Sequence, residues 1–222
     1  MIIAVAGTGG GTGRTVTALG LASAAAAEGH NTVLIDGDHY QHDAAAAARG
    51  VTALAEMLGH TPPLQVLPLG WQETVRWAGG QGPAEQISIL DLPCTNQEDV
   101  LAIAQAVVIP LPEGDRKLLP TLFPTRFKMV AAENGAPCFA LVHSVRRPAG
   151  ASPRTTAYDD ALEDTLVEPL STRIPYSILV REIAADTPWG GDWAAFASLF
   201  APAWAELRDR LALPRPAGTD HG

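Results

Sequence analysis

The 222-residue sequence has little cysteine and no long hydrophobic run. Its two cysteines, Cys94 and Cys138, are too few and too far apart for a disulfide scaffold, which favours a reducing compartment. No apolar run approaches the ~18 residues that a membrane-spanning helix needs. Met1 leads directly into an apolar stretch, without the basic segment of a secretion signal. These absences predict a cytoplasmic protein that does not associate with a membrane.

Lysine is also scarce, and the overall charge is negative. The chain has only two lysines, Lys117 and Lys128, and its net charge is −9. An acidic chain disfavours nucleic acid as the dominant partner, although a local basic patch is compatible with it. With 47% hydrophobic residues the chain can bury a large core. We expect one domain over residues 1–212 and a disordered tail over residues 213–222.

The most informative stretch is the N-terminal one. Ile2–Val5 is apolar and β-branched, which predicts a buried strand. A glycine-rich loop follows, and the chain then becomes an Ala/Leu-rich helix predicted over Thr17–Glu28. A strand, a glycine loop and a helix N-terminus together form an anion site, because free backbone N–H groups converge there. Thr15 stands where a hydroxyl can reach Mg²⁺.

Apolar strands alternate with helical segments along the chain, which predicts an α/β fold with a mostly parallel central sheet and helices on both faces. In such a sheet, ligands bind at the carboxyl ends of the strands, where Gly9, Asp38 and Asp91 would lie. The predicted strands are Thr32–Ile35, Leu64–Leu69, Ile87–Leu90, Ala106–Ile109 (closed by Pro110), Cys138–Val142 and Arg173–Pro175. The predicted later helices are Ala44–Ala48, Val51–Leu58, Asn96–Gln105, Leu118–Glu133, Thr155–Leu166, Leu179–Ala185 and Asp192–Leu211.

The last of these helices carries one apolar stripe. Its large apolar residues recur at spacings of three and four, which is typical of a helix packed on a sheet. A membrane anchor is the alternative, but such an anchor has a one-sided basic face, and this helix mixes Glu206 and Asp209 with Arg208 and Arg210. The stripe consists of Trp193, Phe196, Phe200, Trp204, Leu207 and Leu211.

Five short motifs, in order, resemble the ParA/MinD family of deviant Walker-A P-loop ATPases, and especially short ParA-type partition proteins. The likeness covers nearly the whole chain. The motifs are the loop Gly9-Gly10-Gly11-Thr12-Gly13-Arg14-Thr15, the strand end Asp36-Gly37-Asp38-His39-Tyr40, the Walker-B end Asp91-Leu92-Pro93-Cys94, the run Val108-Ile109-Pro110-Leu111-Pro112, and Ile174-Pro175 followed by Arg181-Glu182-Ile183-Ala184-Ala185.

The resemblance implies a P-loop fold and a site for ATP or ADP with Mg²⁺. Asp38 corresponds to the family's water-positioning carboxylate, which with Arg14 would serve catalysis. Thr15 would bind Mg²⁺ directly, Asp91 would hold it through water, and Asp36 would lie at the same metal site. The implied nucleotide-binding residues are Gly9, Gly10, Gly11, Thr12, Gly13, Arg14, Thr15 and Val16.

Two departures from the family pattern concern catalysis. Gly9 occupies the position of the signature lysine that reaches the partner's ATP in the dimer, and Arg14 replaces the Walker lysine. These changes remove or move positive charge where the transition state needs it. His39 and Tyr40 also stand where Pro and Gln are expected. Nucleotide binding is therefore expected, with hydrolysis slow or lost.

By resemblance, the protein would partition or position DNA or another large cargo. A nucleotide-dependent homodimer and a ParB-like stimulating partner are implied as well. Basic residues toward the C-terminal half of the family bind DNA non-specifically, and scattered surface arginines are the alternative interpretation here. The candidate DNA-contacting residues are Arg146, Arg147, Arg154, Arg173 and Arg181.

Other interpretations stay open at this point. A non-catalytic pseudo-ATPase that serves as a binding module fits Gly9 and Arg14. A short-chain dehydrogenase fits Thr8-Gly9 and Gly13, and Asp36 would then hold a ribose hydroxyl, but no Tyr is followed four residues later by Lys. A glycine-rich turn without a ligand is the third alternative. Cys94 is not paired in the manner of an iron–sulfur protein, because Cys138 follows the Walker-B strand inside an apolar run.

Overall fold

The computed structural model describes residues 1–7, 12–38, 42–49, 64–81, 86–93, 97–112, 135–143, 167–175, 177 and 192–216. These residues form a seven-stranded sheet in the order β3-β2-β4-β1-β5-β6-β7, and every neighbouring pair is parallel. The strands are β1 (Ile2–Val5), β2 (Thr32–Asp36), β3 (Gln65–Pro68), β4 (Ile87–Asp91), β5 (Ala106–Pro112), β6 (Cys138–His143) and β7 (Val167–Ile174). The described helices are α1 (Arg14–Ala27), α2 (residues 43–49), α3 (Trp71–Arg76), α4 (Glu98–Leu101) and α5 (Trp193–Arg210).

The predicted α/β architecture is confirmed. Alternate residues of the central strands point into two separate apolar clusters, one on each face of the sheet. Leu19 of α1 and Phe200 of α5 belong to the first cluster, and Val100 of α4 belongs to the second. Strands that are buried on both faces carry continuous apolar runs, as this sequence does.

Strand β5 corrects one sequence prediction. Pro110 does not close the strand, which continues to Pro112. Along a strand, the backbone groups of successive residues point alternately to the two neighbouring strands. The Val107 N–H bonds on the β6 side, and the Val108 carbonyl accepts the Ala6 N–H on the β1 side. The backbone of Pro110, two residues after Val108, therefore also faces the β1 side. The β1 pairing has already ended at Val108, and the N–H that proline lacks is therefore not needed for the ladder.

Two helix predictions also have the wrong bounds. Helix α1 begins at Arg14 rather than Thr17, which places Arg14 and Thr15 in its first turn. The helix predicted over Asn96–Gln105 is helical only over Glu98–Leu101 in the described part of the chain. The helices predicted over Val51–Leu58, Leu118–Glu133, Thr155–Leu166 and Leu179–Ala185 lie outside the described residues.

The sequence analysis missed one helix and most of one strand. Helix α3 begins after Gly70, whose N–H donates to the Glu73 carboxylate at 3.0 Å. Strand β7 is longer than the predicted Arg173–Pro175, and Glu206 of α5 supports it by accepting N–H groups from Ser171 and Thr172, each at 2.8 Å. Of the predicted tail, residues 213–216 are described, and the Leu213 N–H donates to the Arg208 carbonyl.

Helix α5 packs on α1 and on β7, whereas its apolar stripe predicted only packing on the sheet. The faces meet so closely that Gly20 of α1 lies under the fully buried Phe200 ring. At the end of α1, the Glu28 carboxylate accepts hydrogen bonds from Trp204 Nε1 at 2.6 Å and from the Arg208 guanidinium. Among the described residues, no helix has the length and apolarity to cross a bilayer.

The close contact at Gly20 predicts that Gly20→Ala destabilises the fold. A Cβ at this position would lie 2.3 Å from the Phe200 ring, which forces the two helices apart. Overpacking lowers the free energy of unfolding by about 1–3 kcal/mol, and the better helix propensity of alanine offsets at most about 1 kcal/mol of that loss. Urea denaturation should therefore show a net loss of about 1–2 kcal/mol.

Gly79→Ala is the matched control, because a Cβ at Gly79 meets no atom within 4 Å. Its free energy of unfolding should stay within about 0.5 kcal/mol of the parent. Equal stability of Gly20→Ala and the parent would show that α1 and α5 do not pack as described.

Candidate functional site

Three parallel strands end together at one edge of the sheet. The register pairs Val5 of β1 with Asp91 of β4, and Asp36 of β2 with the same Asp91. The Gly37 N–H donates to the Asp91 carbonyl at 3.0 Å, which ties the loops after β2 and β4 together. The carboxyl edge of a parallel sheet is the usual place for a ligand. The sequence-predicted acidic residues therefore meet where a ligand is expected.

The glycine loop delivers the N-terminus of α1 to the same edge. Gly13 caps the helix with φ 88°, a left-handed conformation that a side chain rarely adopts. No side chain caps the helix start, and the first turn holds no acidic residue. The N–H groups of a first turn and the helix dipole favour an anion at this place. Gly9, Gly10 and Gly11 lie outside the described residues, whereas Thr12 and Val16 are buried beside the loop.

Asp91 and Thr15 form the centre of the described site. The Asp91 side chain is only 2% exposed, and it is hydrogen-bonded to the Thr15 hydroxyl. Burial raises the pKa of the Asp91 carboxyl to about 7, against the lowering effects of Thr15 and the Arg14 charge. The neighbouring Asp36 and Asp38 carboxylates contribute to the same rise of the Asp91 pKa. A cation close to a buried carboxylate of this kind stabilises its ionised form.

Asp36 is fully buried and acts on the backbone around it. Its Oδ2 accepts the Ala45 N–H at 2.9 Å, and its Oδ1 accepts the Asp38 N–H at 3.3 Å. Burial raises the pKa of the Asp36 carboxyl, and the Ala45 hydrogen bond and the His42 charge oppose this rise. Asp36 therefore holds the start of α2 and the position of Asp38. Asp36 is fully buried as well as hydrogen-bonded through both oxygens, so its carboxylate is not accessible to a ribose hydroxyl in this arrangement.

The Arg14 side chain extends from the first turn of α1 toward the segment that follows β4. Its stem lies near Gly7, and its Nη1 donates to the Leu92 carbonyl just after β4. The guanidinium thus lies beside the Walker-B end, where its charge lowers the pKa of Asp91.

His143 contacts the start of α1, which no local sequence pattern predicted. The residue ends β6, and its Nε2 lies 2.7 Å from the Thr17 hydroxyl of α1. A Cβ on Gly13 would meet the same imidazole at 3.7 Å. Burial lowers the pKa of His143 to about 4, so the ring is neutral at pH 7.

Gln97 is the second residue that the sequence analysis missed. Its buried side-chain amide bonds both backbone groups of Gly7, 90 residues earlier in the chain: Nε2 donates to the Gly7 carbonyl at 2.9 Å, and Oε1 accepts the Gly7 N–H at 3.2 Å. No local pattern signals a contact of this range, since it depends on the strand order.

The donor set suits magnesium better than a soft metal. A hydroxyl and a buried carboxylate are hard oxygen donors, and Mg²⁺ is usually held by few protein oxygens together with water and phosphate. Within the described ranges, no group of three or more His, Cys, Asp or Glu residues could hold a metal by itself. The site residues Thr15 and Asp91 thus fit a metal that arrives with a phosphate ligand.

Arg173 is the one predicted DNA-contacting residue that falls within the described part of the chain, and it is not part of this site. Arg173 lies in β7, at the opposite side of the sheet order from β2. Arg146, Arg147, Arg154 and Arg181 lie outside the described residues.

Comparison with known proteins agrees with the fold. No curated protein sequence is similar enough to be matched. Among solved structures, the septum site-determining protein MinD from Pyrococcus horikoshii OT3, complexed with Mg-ADP, is 16% identical with a TM-score of 0.67 over 96% of each chain. A putative plasmid partition protein from Borrelia burgdorferi B31, bound to AMPPNP, is 15% identical with a TM-score of 0.58, covering 91% of this chain and 98% of that one. An McdA–ATP complex from Cyanothece is 14% identical with a TM-score of 0.61 over 97% of each chain.

The sequence also matches a family model directly. The match extends over residues 3–134, which is more than half of the chain and includes β1, α1, Asp36, Asp38 and Asp91. The protein belongs to the CobQ/CobB/MinD/ParA nucleotide binding domain family.

Proposed function

We propose that this protein is an ATP- and ADP-binding switch that uses Mg²⁺. The observation that carries the proposal is the contact of Thr15, in the first turn of α1, with the buried Asp91 at the end of β4. This contact places one metal-binding hydroxyl and one carboxylate directly beside a helix N-terminus that favours phosphate. The nucleotides in the similar structures, Mg-ADP in MinD and AMPPNP in the partition protein, support the same choice of ligand.

The proposal gives each predicted site residue a role. The backbone N–H groups of the loop from Gly9 to Gly13, together with Arg14, Thr15 and Val16 at the start of α1, hold the phosphates. Thr15 binds Mg²⁺ directly and Asp91 binds it through water. Asp36 adds negative charge to the metal site and fixes Asp38, through the hydrogen bond from the Asp38 N–H. Bound magnesium supplies charge neutralisation of the phosphate oxygens.

Hydrolysis is proposed to be slow or lost. Asp38 orients the attacking water, but the cations that would stabilise the transition state are weakened. Gly9 carries no charge, and the Arg14 guanidinium donates to the Leu92 carbonyl beside β4. The same observation supports the alternative of a pseudo-ATPase, a protein that binds nucleotide and dimerises without turnover.

The cellular role is proposed from the relatives. Septum-site, partition and McdA proteins share this fold, which supports a role in partitioning or positioning DNA or another large cargo. A nucleotide-dependent homodimer, a ParB-like stimulating partner and non-specific DNA binding remain predictions. The NAD(P) alternative loses its ribose contact, because the Asp36 carboxylate is fully buried.

Removing the Thr15 hydroxyl should abolish the benefit of magnesium. Titration with a fluorescent ATP analogue should give binding that Mg²⁺ strengthens and that ATP and ADP, but not NADH, displace. Thr15→Val should weaken binding with Mg²⁺ about tenfold or more, equivalent to about 1.4 kcal/mol, and leave binding without Mg²⁺ nearly unchanged. The control is Thr32→Val, because Thr32 begins β2 at the opposite edge of the sheet. Competition by NADH, or equal magnesium dependence in Thr15→Val, would contradict the proposed site.

The raised pKa of Asp91 predicts a pH dependence of the magnesium effect. Without metal the carboxyl has a pKa of about 7, so below pH 7 Mg²⁺ must displace a proton. Calorimetric titrations should therefore show that the magnesium-dependent part of ATP affinity rises between pH 6 and pH 8. Asp91→Asn should weaken the magnesium effect and flatten this rise, and comparison at equal pH cancels the ionisation of ATP itself. A rise of the same size in Asp91→Asn would exclude Asp91 as its source.

Restoring the family's cations should raise turnover. The parent protein should release phosphate from ATP slowly or not at all, whereas a Gly9→Lys, Arg14→Lys double variant should be at least about tenfold faster, because charge returns to the transferring phosphate. Asp38→Ala in the double variant should remove the gain. Parent turnover of about 1 s⁻¹ or faster, abolished by Asp38→Ala, would overturn the proposal of crippled catalysis.

A further inference from the structure

The base of the glycine loop is held by a side chain rather than by a strand. Val5 and Ala6 are still bonded to neighbouring strands, through Leu92 N–H to the Val5 carbonyl at 3.2 Å and Ala6 N–H to the Val108 carbonyl at 3.0 Å. Successive residues alternate between these two sides, so the backbone groups of Gly7 face the side of β4. Strand β4 ends at Asp91, and none of the described strands extends far enough on that side to pair with Gly7.

The Gln97 amide replaces the missing strand. A primary amide has the donor and the acceptor of a peptide group, and Gln97 uses both on Gly7, at 2.9 Å and 3.2 Å. The contact is buried, with Gln97 only 5% exposed. Buried backbone groups without partners are costly, so this pair fixes the position of Gly7.

A second contact ties the same two regions together. Arg14, at the far end of the glycine loop, donates to the Leu92 carbonyl. The loop that leaves β1 is therefore bonded at its first residue to Gln97 and just past its end to Leu92, and both partners belong to the segment that follows β4. These two contacts hold both described ends of the loop against the segment that follows β4.

We propose that Gln97 is a positioning residue for phosphate binding: its paired hydrogen bonds to Gly7 orient the glycine loop so that its N–H groups converge on the nucleotide phosphates. The inference rests on the proposed nucleotide-binding function. It assigns to Gln97 an effect on ligand affinity, because convergence of several N–H groups on one anion is sensitive to small displacements.

The chain contains a matched control at the other end of β1. The Gln105 Oε1 accepts the Ile2 N–H at 2.9 Å, so a second glutamine bonds the backbone of the same strand, far from the loop. A general loss of β1 stability would follow from substituting either residue. Only the loss of loop positioning is specific to Gln97.

The experiment compares Gln97→Met with Gln105→Met, because methionine keeps the length of the side chain and removes the amide. Both variants are titrated with ATP and Mg²⁺ at a temperature where circular dichroism shows full folding. Gln97→Met should bind at least tenfold more weakly than the parent, and Gln105→Met should stay within twofold. Equal affinities of Gln97→Met and the parent would overturn the positioning role alone, whereas failure of the parent to bind would overturn the proposed function as well.

The pH dependence of binding by Gln97→Glu is a readout that general destabilisation would not change. This variant also tests the proposal if Gln97→Met does not fold. An ionised carboxylate keeps the acceptor for the Gly7 N–H but faces the Gly7 carbonyl without a donor, whereas a protonated carboxyl offers both. At pH 8.5, Gln97→Glu should bind ATP and Mg²⁺ at least tenfold more weakly than the parent. At pH 6, this ratio of the two affinities should be at least threefold smaller. Equal affinities at pH 8.5, or the same ratio at both pH values, would contradict the donor role of Gln97.

Discussion

Parallel pairing of β1, β2 and β4 is the constraint on which the rest of the structure depends. It places the last residues of three strands, Val5, Asp36 and Asp91, side by side at one edge of the sheet. The residue that leads into the glycine loop, the buried Asp91 and the strand end at Asp36 are separated in sequence by tens of residues, and this register makes them neighbours. Packing of α1 against α5 then holds the helix N-terminus at that edge.

The same arrangement concentrates negative charge where water is excluded. Asp36 and Asp91 are both buried, and burial raises the pKa of each carboxyl. The protein offsets this cost locally, through N–H groups on Asp36 and through the Thr15 hydroxyl and the Arg14 charge beside Asp91. Burial without full compensation is typical of functional sites, because a ligand can supply what is missing. A divalent cation would offset the charge of the buried carboxylates, and a phosphate chain would supply the anion that the N-terminus of α1 favours.

Local sequence predicted most of the strands and their acidic ends at Asp36 and Asp91, because buried parallel strands leave short-range apolar patterns. It did not predict what depends on tertiary neighbours. Pro110 broke the predicted strand, yet its missing N–H faces a side where β1 has already ended. Gln97 and His143 looked unremarkable, since each acts on a residue about 90 or more positions away. Arg14 was expected at phosphate, and its contact with the Leu92 carbonyl follows from how α1 meets β4.

The most direct test of this account is a crystal structure with a non-hydrolysable ATP analogue and Mn²⁺, located by its anomalous scattering. The account predicts a triphosphate over the N-terminus of α1, the metal bonded to the Thr15 hydroxyl, and one water between the metal and Asp91. A metal bound elsewhere, or a nucleotide that lies across the sheet edge with its ribose on Asp36, would contradict it.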